Sequence, residues 1–338
     1  MSERAKRALP CVLAAFLLVA TGCQSPQAWG EANSIIVAME GEEWERIGTE
    51  VEDALEPRIF TVRDERMFEV TPADPRDQRW ARFREFRRIL MVGSPDDDWL
   101  QPALRRVSGD GPQPPAVVQA RNVWSRGQEI TIALVPPGEG AEAVRPMLDG
   151  IGERYRTDFT QWARQRMYTS GVDTALARDL QREAGFSLTL PEVYRGGQMQ
   201  PNAYLFRNDY PEASRLTRSI LVTWREGDDA GRVSEDDALA WRMEEAERFY
   251  DPPHVTETDR IESAPVEVDG REGVQIQGVW ASPPDAWPAA GPFMSRMVSC
   301  PDQDRVYLLD AWLYAPGRPK HEFMIQLGTI LDTFRCGG

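Results

Sequence analysis

The order of strand-like and helix-like patterns along the chain constrains its fold more than any other feature. Short runs of continuous or alternating apolar residues indicate strands, and longer runs with apolar residues every three or four positions indicate helices. The first half contains four strand-like runs, at 34–39, 88–93, 116–124 and 129–136. A turn at Arg126-Gly127 favours pairing of the last two as a hairpin.

Two helices are predicted to follow these strands. The first covers 141–168 and carries one apolar stripe, formed by Leu148, Ile151, Tyr155, Phe159 and Trp162. The second covers 173–183 and ends before Gly185. We therefore expect an N-terminal domain over 34–183 and a C-terminal domain over 184–338.

The second half repeats the mixture of strands and helices. A helix is predicted to begin after Ser234, a good N-cap residue, with Asp237 three positions on. Its expected apolar face consists of Leu239, Met243, Ala246 and Tyr250. Two hairpins follow, one turning at Asp269-Gly270 and one joining 293–300 to 305–314, and a last helix starts near His321. The expected fold class is α+β, with two α/β-layered domains whose mainly antiparallel sheets are covered by helices, after an N-terminal signal peptide.

Residues 1–22 have the three parts of a secretory signal peptide. Basic residues precede an apolar run over 11–20 that is too short to span a bilayer, and small residues follow it. The run Ala20-Thr21-Gly22-Cys23 resembles the lipobox of bacterial lipoproteins. That resemblance implies that Cys23 carries diacylglycerol and becomes the mature N-terminus. The alternative is a soluble exported protein in which Cys23 is not lipidated and occurs at this position by chance.

The residues after Cys23 bear on the destination of the protein. Lipoproteins kept at the inner membrane often carry Asp next, whereas this chain has Gln24. By resemblance, the periplasmic face of the outer membrane is the expected location. Residues 23–33 are rich in small and polar side chains, and we expect them to form a flexible tether.

Two of the four cysteines remain after the leader and the lipidation site are set aside. Cys300 and Cys336 are then a pair in an oxidising compartment, where disulfides persist. A bridge between them is predicted to join the C-terminus to the end of a strand. Two free thiols are the alternative.

The charge of the chain excludes one class of partner. Its formal net charge is −15, so it lacks the basic surface that a nucleic-acid backbone demands. General bases are also few, because Lys6 and Lys320 are the only lysines and His254 and His321 the only histidines. Signature motifs for a serine nucleophile or a phosphate-binding loop are absent from the sequence. We therefore predict no catalytic residues, no cofactor and no metal site.

His254 is a conceivable metal ligand, because Glu257 follows it closely and His and carboxylates suit zinc. The sequence lacks a helical His-x-x-x-His pair, and two prolines directly precede His254. We expect a surface loop histidine there, and a solvated polar residue at His321.

The run at 76–88 is the most distinctive local feature. Aromatic residues recur there every three positions among arginines that could form an anion-binding face: Arg79, Arg82, Arg84, Arg87 and Arg88. Such a face would suit lipid headgroups, cell-wall carboxylates or an acidic partner. The alternative is an amphipathic helix whose arginines pair with the chain's own abundant acids.

The chain resembles a known family. Over 184–336, an opening Gly-Phe-x-Leu-x-Leu-Pro strand, a meander of hairpins and a last helix ending near Thr-Phe are similar to the MOG1/PsbP-like fold. With the lipoprotein-like N-terminus and "RNVWSRGQEI" at 121–130, the whole chain resembles a bacterial lipoprotein family described as a domain of unknown function (DUF4837). That resemblance implies no activity and no catalytic residues.

These observations favour a membrane-anchored periplasmic lipoprotein that acts as a binding or envelope-assembly accessory. Its expected partners are the membrane, through the lipid, and an envelope protein or cell-wall component. The competing hypothesis is a periplasmic hydrolase with a carboxylate-based site at the interdomain cleft. A third, small-ligand carriage, predicts a deep apolar cavity between a sheet and a helix.

Overall fold

The computed structural model describes residues 25–108, 111–227 and 233–337. The predicted signal peptide at 1–22 and the lipidation site Cys23 lie outside these residues. Among the helices that are described, none combines the length and the apolar character needed to cross a bilayer.

The first half folds around a five-stranded sheet. The strands of this half are β1 Ser34–Ala38, β2 Arg58–Ile59, β3 Glu65–Arg66, β4 Glu69–Ala73, β5 Arg88–Gly93, β6 Ala116–Arg121 and β7 Glu129–Leu134; β2 and β3 form a separate pair. Its helices are α1 Gly41–Leu55, α2 Trp80–Phe83, α3 Gln101–Leu104 and α4 Arg145–Met167. A 3₁₀ turn at Ala141–Val144 precedes α4, so the helix predicted over 141–168 is confirmed.

This sheet is not mainly antiparallel as expected. Its strand order is β4-β1-β5-β7-β6, and β1, β4, β5 and β7 run parallel. The chain returns between parallel strands through long connections that contain α1, α2 or α3, as parallel pairing requires. β6 pairs antiparallel with β7, which confirms the predicted hairpin. α1 and α4 cover one face of the sheet, and the segments around α2 and α3 cover the other.

The described part of the expected tether is joined to the first domain. The backbone amide of Ala28 donates to the carbonyl of Arg126, and the amide of Arg126 donates to the carbonyl of Pro26. The indole of Trp29 packs on Phe86 with ring centroids 3.9 Å apart. Residues 26–29 therefore belong to the domain surface, because their polar backbone groups and the Trp29 ring have partners there.

The second half is built on an eight-stranded sheet in which every strand pair is antiparallel. The strands are β8 Phe186–Ser187, β9 Arg195–Gln200, β10 Ala203–Asn208, β11 Thr217–Glu226, β12 Val255–Thr256, β13 Glu262–Val268, β14 Arg271–Ala281, β15 Ala290–Cys300, β16 Arg305–Tyr314 and β17 Arg335–Cys336; β8 and β17 form a separate pair. The helices are α5 Thr174–Glu183, α6 Glu235–Phe249 and α7 His321–Leu331. The α+β class and both predicted hairpins of this half are confirmed.

The two faces of this sheet are covered by different helices. α7 packs on the face that contains Ile220, Leu309 and Leu313, and α6 packs on the opposite face. Leu180 of α5 is buried in the core on the α7 side, although the expected boundary at 183/184 assigns this helix to the first domain. The second core thus begins one helix earlier than expected.

Cys300 and Cys336 form a disulfide with their Cα atoms 6.0 Å apart. Cys300 ends β15 and is fully buried, and Cys336 ends β17. The bridge joins the C-terminal segment to a central strand, as the sequence predicts.

Candidate functional site

A cavity of about 570 Å³ opens on the α6 side of the second sheet. Many of its lining side chains are aromatic, and we call it the aromatic pocket; they are Phe249, Tyr250, His254, Trp280, Trp287, Trp312 and Tyr314. It exists because α6 ends at Phe249 and leaves the rest of this sheet face uncovered. Its size lies within the range of about 300–1,000 Å³ typical of small-molecule sites.

Three neighbouring strands place one row of polar side chains on the pocket wall. Every second residue of a strand points to the same face. Ser219 of β11 lies directly opposite Arg207 of β10 on one side and opposite Trp312 of β16 on the other. We call these three residues the cross-strand row. Residues directly opposite each other in this way have Cβ atoms about 5 Å apart.

One polar atom of each residue in the cross-strand row has no hydrogen-bond partner among the described residues. Nε1 of Trp312, Oγ of Ser219 and Nε of Arg207 are all buried and unpaired. Ser219 is fully buried, and Trp312 is 7% exposed. Buried polar groups in folded proteins are nearly always hydrogen-bonded, so three unpaired atoms on adjacent strands, in residues that line one cavity, make this cavity the candidate site.

His254 is not the surface residue expected from the sequence. It is 9% exposed, and its ring stacks on Trp280 with centroids 3.9 Å apart and planes 6° apart. Burial, together with the charges of Arg242 and Arg207, lowers the pKa of His254 to about 2. The imidazole is therefore neutral at physiological pH, and its Nδ1 lies 3.4 Å from Nη2 of Arg242. The prolines before it do form a loop, but that loop folds over the sheet.

Beside the pocket, between α6 and the same sheet face, lies a buried ion pair that the sequence pattern does not indicate. The guanidinium of Arg242 on α6 is fully buried, with Nε 3.6 Å from Oδ1 of Asp310 on β16. The hydroxyls of Tyr250 and Ser295 both donate to the Asp310 carboxylate, the former at 2.5 Å. Burial, and then the charge of Asp310, raises the pKa of Tyr250, so its hydroxyl stays protonated and keeps donating.

Arg242 is also held by neighbours other than the carboxylate. Its Nη1 donates to Oγ1 of Thr256 at 2.5 Å, and its guanidinium carbon lies 3.9 Å from the ring centroid of Phe293. The predicted apolar face of α6 is wrong at Met243, which is 42% exposed, because the helix instead turns Arg242 and Glu245 toward the sheet. These contacts link α6 to the strands that form the pocket wall.

A glycine allows Trp280 to occupy its place in the wall. The indole Nε1 of Trp280 donates to the carbonyl of Leu313 at 3.3 Å. A Cβ atom at Gly291 would lie 1.8 Å from that carbonyl oxygen and 2.8 Å from the same Nε1. Any larger residue at this position must therefore displace the tryptophan or the strand.

A second, larger cavity of about 1080 Å³ lies between the two domains. We call it the interdomain cleft; its lining includes Glu65, Arg87, Trp162, Arg166, Lys320 and His321. The carboxylate of Glu65, from the first domain, accepts hydrogen bonds from the backbone amides of Lys320 and His321 at 2.6 and 2.8 Å. It also lies 3.1 Å from Nδ1 of His321. Glu65 thus caps the N-terminus of α7 across the domain boundary.

The state of Glu65 does not favour a carboxylate-based hydrolase in this cleft. Such an enzyme needs an acid whose pKa is raised. Burial raises the pKa of Glu65, but the hydrogen bonds from His321 and from the two backbone amides outweigh it, and the net pKa is lowered. The carboxylate is ionised and serves as a helix cap.

We expect Glu65→Gln to destabilise the protein at pH 7 by about 1 kcal/mol, because α7 loses a charged cap. A carboxyl whose folded pKa is lowered contributes stability above its ordinary value of 4.5 and loses it as the pH falls through the lowered pKa. The difference between wild type and variant should therefore be present at pH 7 and be lost at a pH below the lowered pKa of Glu65. Urea unfolding at both pH values measures it. Glu69→Gln, at an exposed carboxylate in the same cleft, is the control. If Glu65→Gln lowered the free energy of unfolding equally at both pH values, the capping role of Glu65 would be contradicted.

The predicted anion-binding face is not assembled as one helical surface. Within the run at 76–88 the chain is α-helical only at Trp80–Phe83. Arg88 is buried in β5, where its guanidinium lies over the rings of Phe68 and Tyr155, so it is not part of an exposed face. Burial lowers the pKa of Arg88.

The other four arginines of that prediction point to different surroundings. Arg79 pairs with Asp77 at 3.1 Å, and Arg82 lies over the Trp29 ring at 5.5 Å. Arg84 is exposed, and Arg87 lines the interdomain cleft. Anion binding by these residues stays a prediction. The aromatic pocket is not among the sequence predictions; the tryptophans and prolines around 280–289 are the local signal for it.

Comparisons with known proteins concern the two halves separately. Residues 173–333 match the family described as Domain of unknown function (DUF4837), and residues 28–169 match Domain of unknown function (DUF8532). The DUF4837 resemblance is therefore confirmed for the second half, whereas the segment 121–130 lies in the DUF8532 match. No curated protein matches the chain.

Two solved structures illustrate the distant structural similarity. The Ran-binding protein Mog1p of Saccharomyces cerevisiae is 12% identical, with 45% of this chain and 90% of that chain covered and a TM-score of 0.31. LpqN of Mycobacterium tuberculosis, described as involved in cell envelope biogenesis, is 12% identical, with 45% and 83% covered and a TM-score of 0.29.

Proposed function

Because this chain joins a DUF8532 domain to a DUF4837 domain, families described without an activity, we propose a function from its site. The protein is a membrane-attached binding accessory of the cell envelope, and the aromatic pocket is its ligand-binding site. The observation that carries this proposal is the set of unpaired polar atoms on the wall of an aromatic cavity.

The pocket supports binding rather than catalysis. A nucleophile needs a base within hydrogen-bond reach. The imidazole in this pocket, His254, stacks on Trp280 and turns Nδ1 toward Arg242. The carboxylate of Asp310 is committed to Arg242, Tyr250 and Ser295 beside the pocket. These groups hold the shape of the pocket.

Filling the cavity should abolish binding. We expect wild type to bind the neutral aromatic probe N-phenyl-1-naphthylamine with a rise in probe fluorescence, and Ser219→Phe to weaken this binding at least about tenfold. The new ring would occupy space next to Trp312, because residues 219 and 312 are directly opposite on one face.

Ser263→Phe is the matched control, since Ser263 is exposed on β13 of the same sheet and outside the pocket lining. Thermal unfolding shows whether each variant is folded. Equal probe affinity in wild type and a folded Ser219→Phe protein would count against the pocket as the binding site.

The attachment part of the proposal rests on Cys23. Diacylation gives two acyl chains, and two chains give stable membrane attachment where one does not. We expect Cys23→Ser to move the protein from the membrane fraction to the soluble fraction of the envelope. Cys11→Ser, inside the apolar run of the leader, should leave it membrane-bound.

Fractionation by density gradient then distinguishes the outer from the inner membrane. Retention of the Cys23→Ser protein in the membrane fraction would contradict the lipid anchor. Sedimentation of wild type with the inner membrane would contradict the outer-membrane location alone.

A further inference from the structure

We infer that the ligand of the aromatic pocket is an amphipathic carboxylate, with its apolar body between the aromatic walls and its carboxylate on the cross-strand row. This inference rests on the proposed binding function and adds the chemical class of the ligand.

The unpaired atoms of the cross-strand row call for an acceptor. An indole N–H and a guanidinium Nε–H can only donate, and a serine hydroxyl can donate as well. Trp312, Arg207 and Ser219 supply these three donors from adjacent strands. A ligand group with several lone pairs in a small volume satisfies all three, and a carboxylate has about four acceptor positions on two oxygens.

The charge at the row favours an anion. Arg207 pairs with Asp209 only through Nη2, at 3.3 Å, and both of these side chains are about 42% exposed. An exposed ion pair of this kind contributes little to the free energy of folding, so it holds Arg207 only weakly. Nε of Arg207 has no hydrogen-bond partner among the described residues, and the guanidinium carbon of Arg207 lies 5.8 Å from the Trp312 ring centroid. Charge-assisted hydrogen bonds to a carboxylate are stronger than neutral ones.

The remaining lining argues against a sugar. Sugar hydroxyls donate as well as accept, so a sugar site needs strong acceptors beside its donors, and the carboxylate and amide oxygens of Asp, Glu, Asn and Gln are the usual ones. Among the described residues that line the aromatic pocket, Asp251 is the one side chain of these types, and it is exposed. The rest of the lining is aromatic, aliphatic or hydroxyl-bearing, and Trp287, 82% exposed, extends the apolar surface at the rim.

Two sources of such a ligand share this chemistry, an aromatic acid and a fatty acid. The test uses full-length Cys23→Ser protein and two probe pairs: 1-naphthoate with 1-naphthalenemethanol, and decanoate with 1-decanol. Each pair has the same apolar body with and without the charge. Titration followed by tryptophan fluorescence gives the dissociation constants. The acid that binds more tightly, 1-naphthoate or decanoate, identifies the ligand as an aromatic acid or a fatty acid.

We expect at least one acid to bind about tenfold more tightly than its alcohol, as hydrogen bonds to a charged group imply. Arg207→Met keeps the apolar stem and should remove this preference. Trp312→Phe keeps a ring without the N–H donor and should reduce it. Arg215→Met, an exposed arginine outside the pocket, should leave it unchanged.

The outcomes separate the two proposals. Equal affinity of acid and alcohol in wild type would overturn the carboxylate inference and leave the binding function standing, and this comparison does not depend on any variant folding. Loss of the preference in Arg215→Met, or its survival in both Arg207→Met and Trp312→Phe, would also overturn the inference. If neither the probe pairs nor N-phenyl-1-naphthylamine bind, the proposed binding function fails as well.

Discussion

Asp310→Ala is expected to lower the free energy of unfolding by about 3–5 kcal/mol, the usual effect of removing one partner of a buried ion pair. The substitution leaves the guanidinium of Arg242 fully buried without its counter-charge. It also removes the acceptor of the Tyr250 and Ser295 hydroxyls. Each buried donor that is left unpaired adds a desolvation penalty.

Urea unfolding measures this loss. Asp302→Ala is the control, because Asp302 pairs with Arg271 on the surface and its side chain is 78% exposed. That variant should lose less than about 1 kcal/mol. The double variant Arg242→Met/Asp310→Ala should lose less than the sum of the two single changes, since the orphaned charge is removed with its partner. Additive losses, or a loss below about 1 kcal/mol for Asp310→Ala, would contradict the role of the pair.

Removing the disulfide is expected to have an effect of similar size. The bridge closes a loop with a sequence separation of 36 residues, for which the chain-entropy model gives about 4 kcal/mol of stabilisation. The Cys300→Ala/Cys336→Ala protein should unfold at a clearly lower urea concentration. Its native fold should persist, because β17 still pairs with β8 and the amide of Cys336 still donates to Asp269 at 3.0 Å.

Wild type in a strong reductant provides the matching comparison. Its unfolding transition should move to that of the double alanine variant, and the variant itself should not respond to reductant. A wild-type transition that is insensitive to reductant would show that the bridge contributes nothing measurable.

Local sequence patterns were sufficient for elements whose contacts lie close together in the chain. The helix at 145–167 follows from its apolar stripe, and the start of α6 from Ser234, whose side chain accepts from the amide of Asp237. The turn at Asp269-Gly270 has positive φ at both residues, as a tight hairpin requires. These features depend on a few neighbouring residues, which is why periodicity and turn chemistry predict them.

Contacts between distant segments were not predictable in this way. The runs "SIIVA" and "RILMVG" are buried along nearly their whole length, which is typical of parallel strands covered on both faces, but their neighbours are set by the order of the sheet. The aromatic pocket needs the register of β10, β11 and β16 to align its cross-strand row. The sequence predicts a surface position for His254, because Trp280, which covers its ring, is distant in the sequence.

In a lipidated protein, the pairing of residues 26–29 with the first domain would set the length of the linker between the lipid and that domain. If the lipid is on Cys23, only the chain from Cys23 to Pro26 separates the acyl chains from a segment hydrogen-bonded to the domain at Arg126. An extended chain reaches at most about 3.5 Å per residue, so this linker would be at most about 10 Å long. The first domain would then lie directly against the lipid headgroups, and it could adopt only a limited set of orientations relative to the membrane.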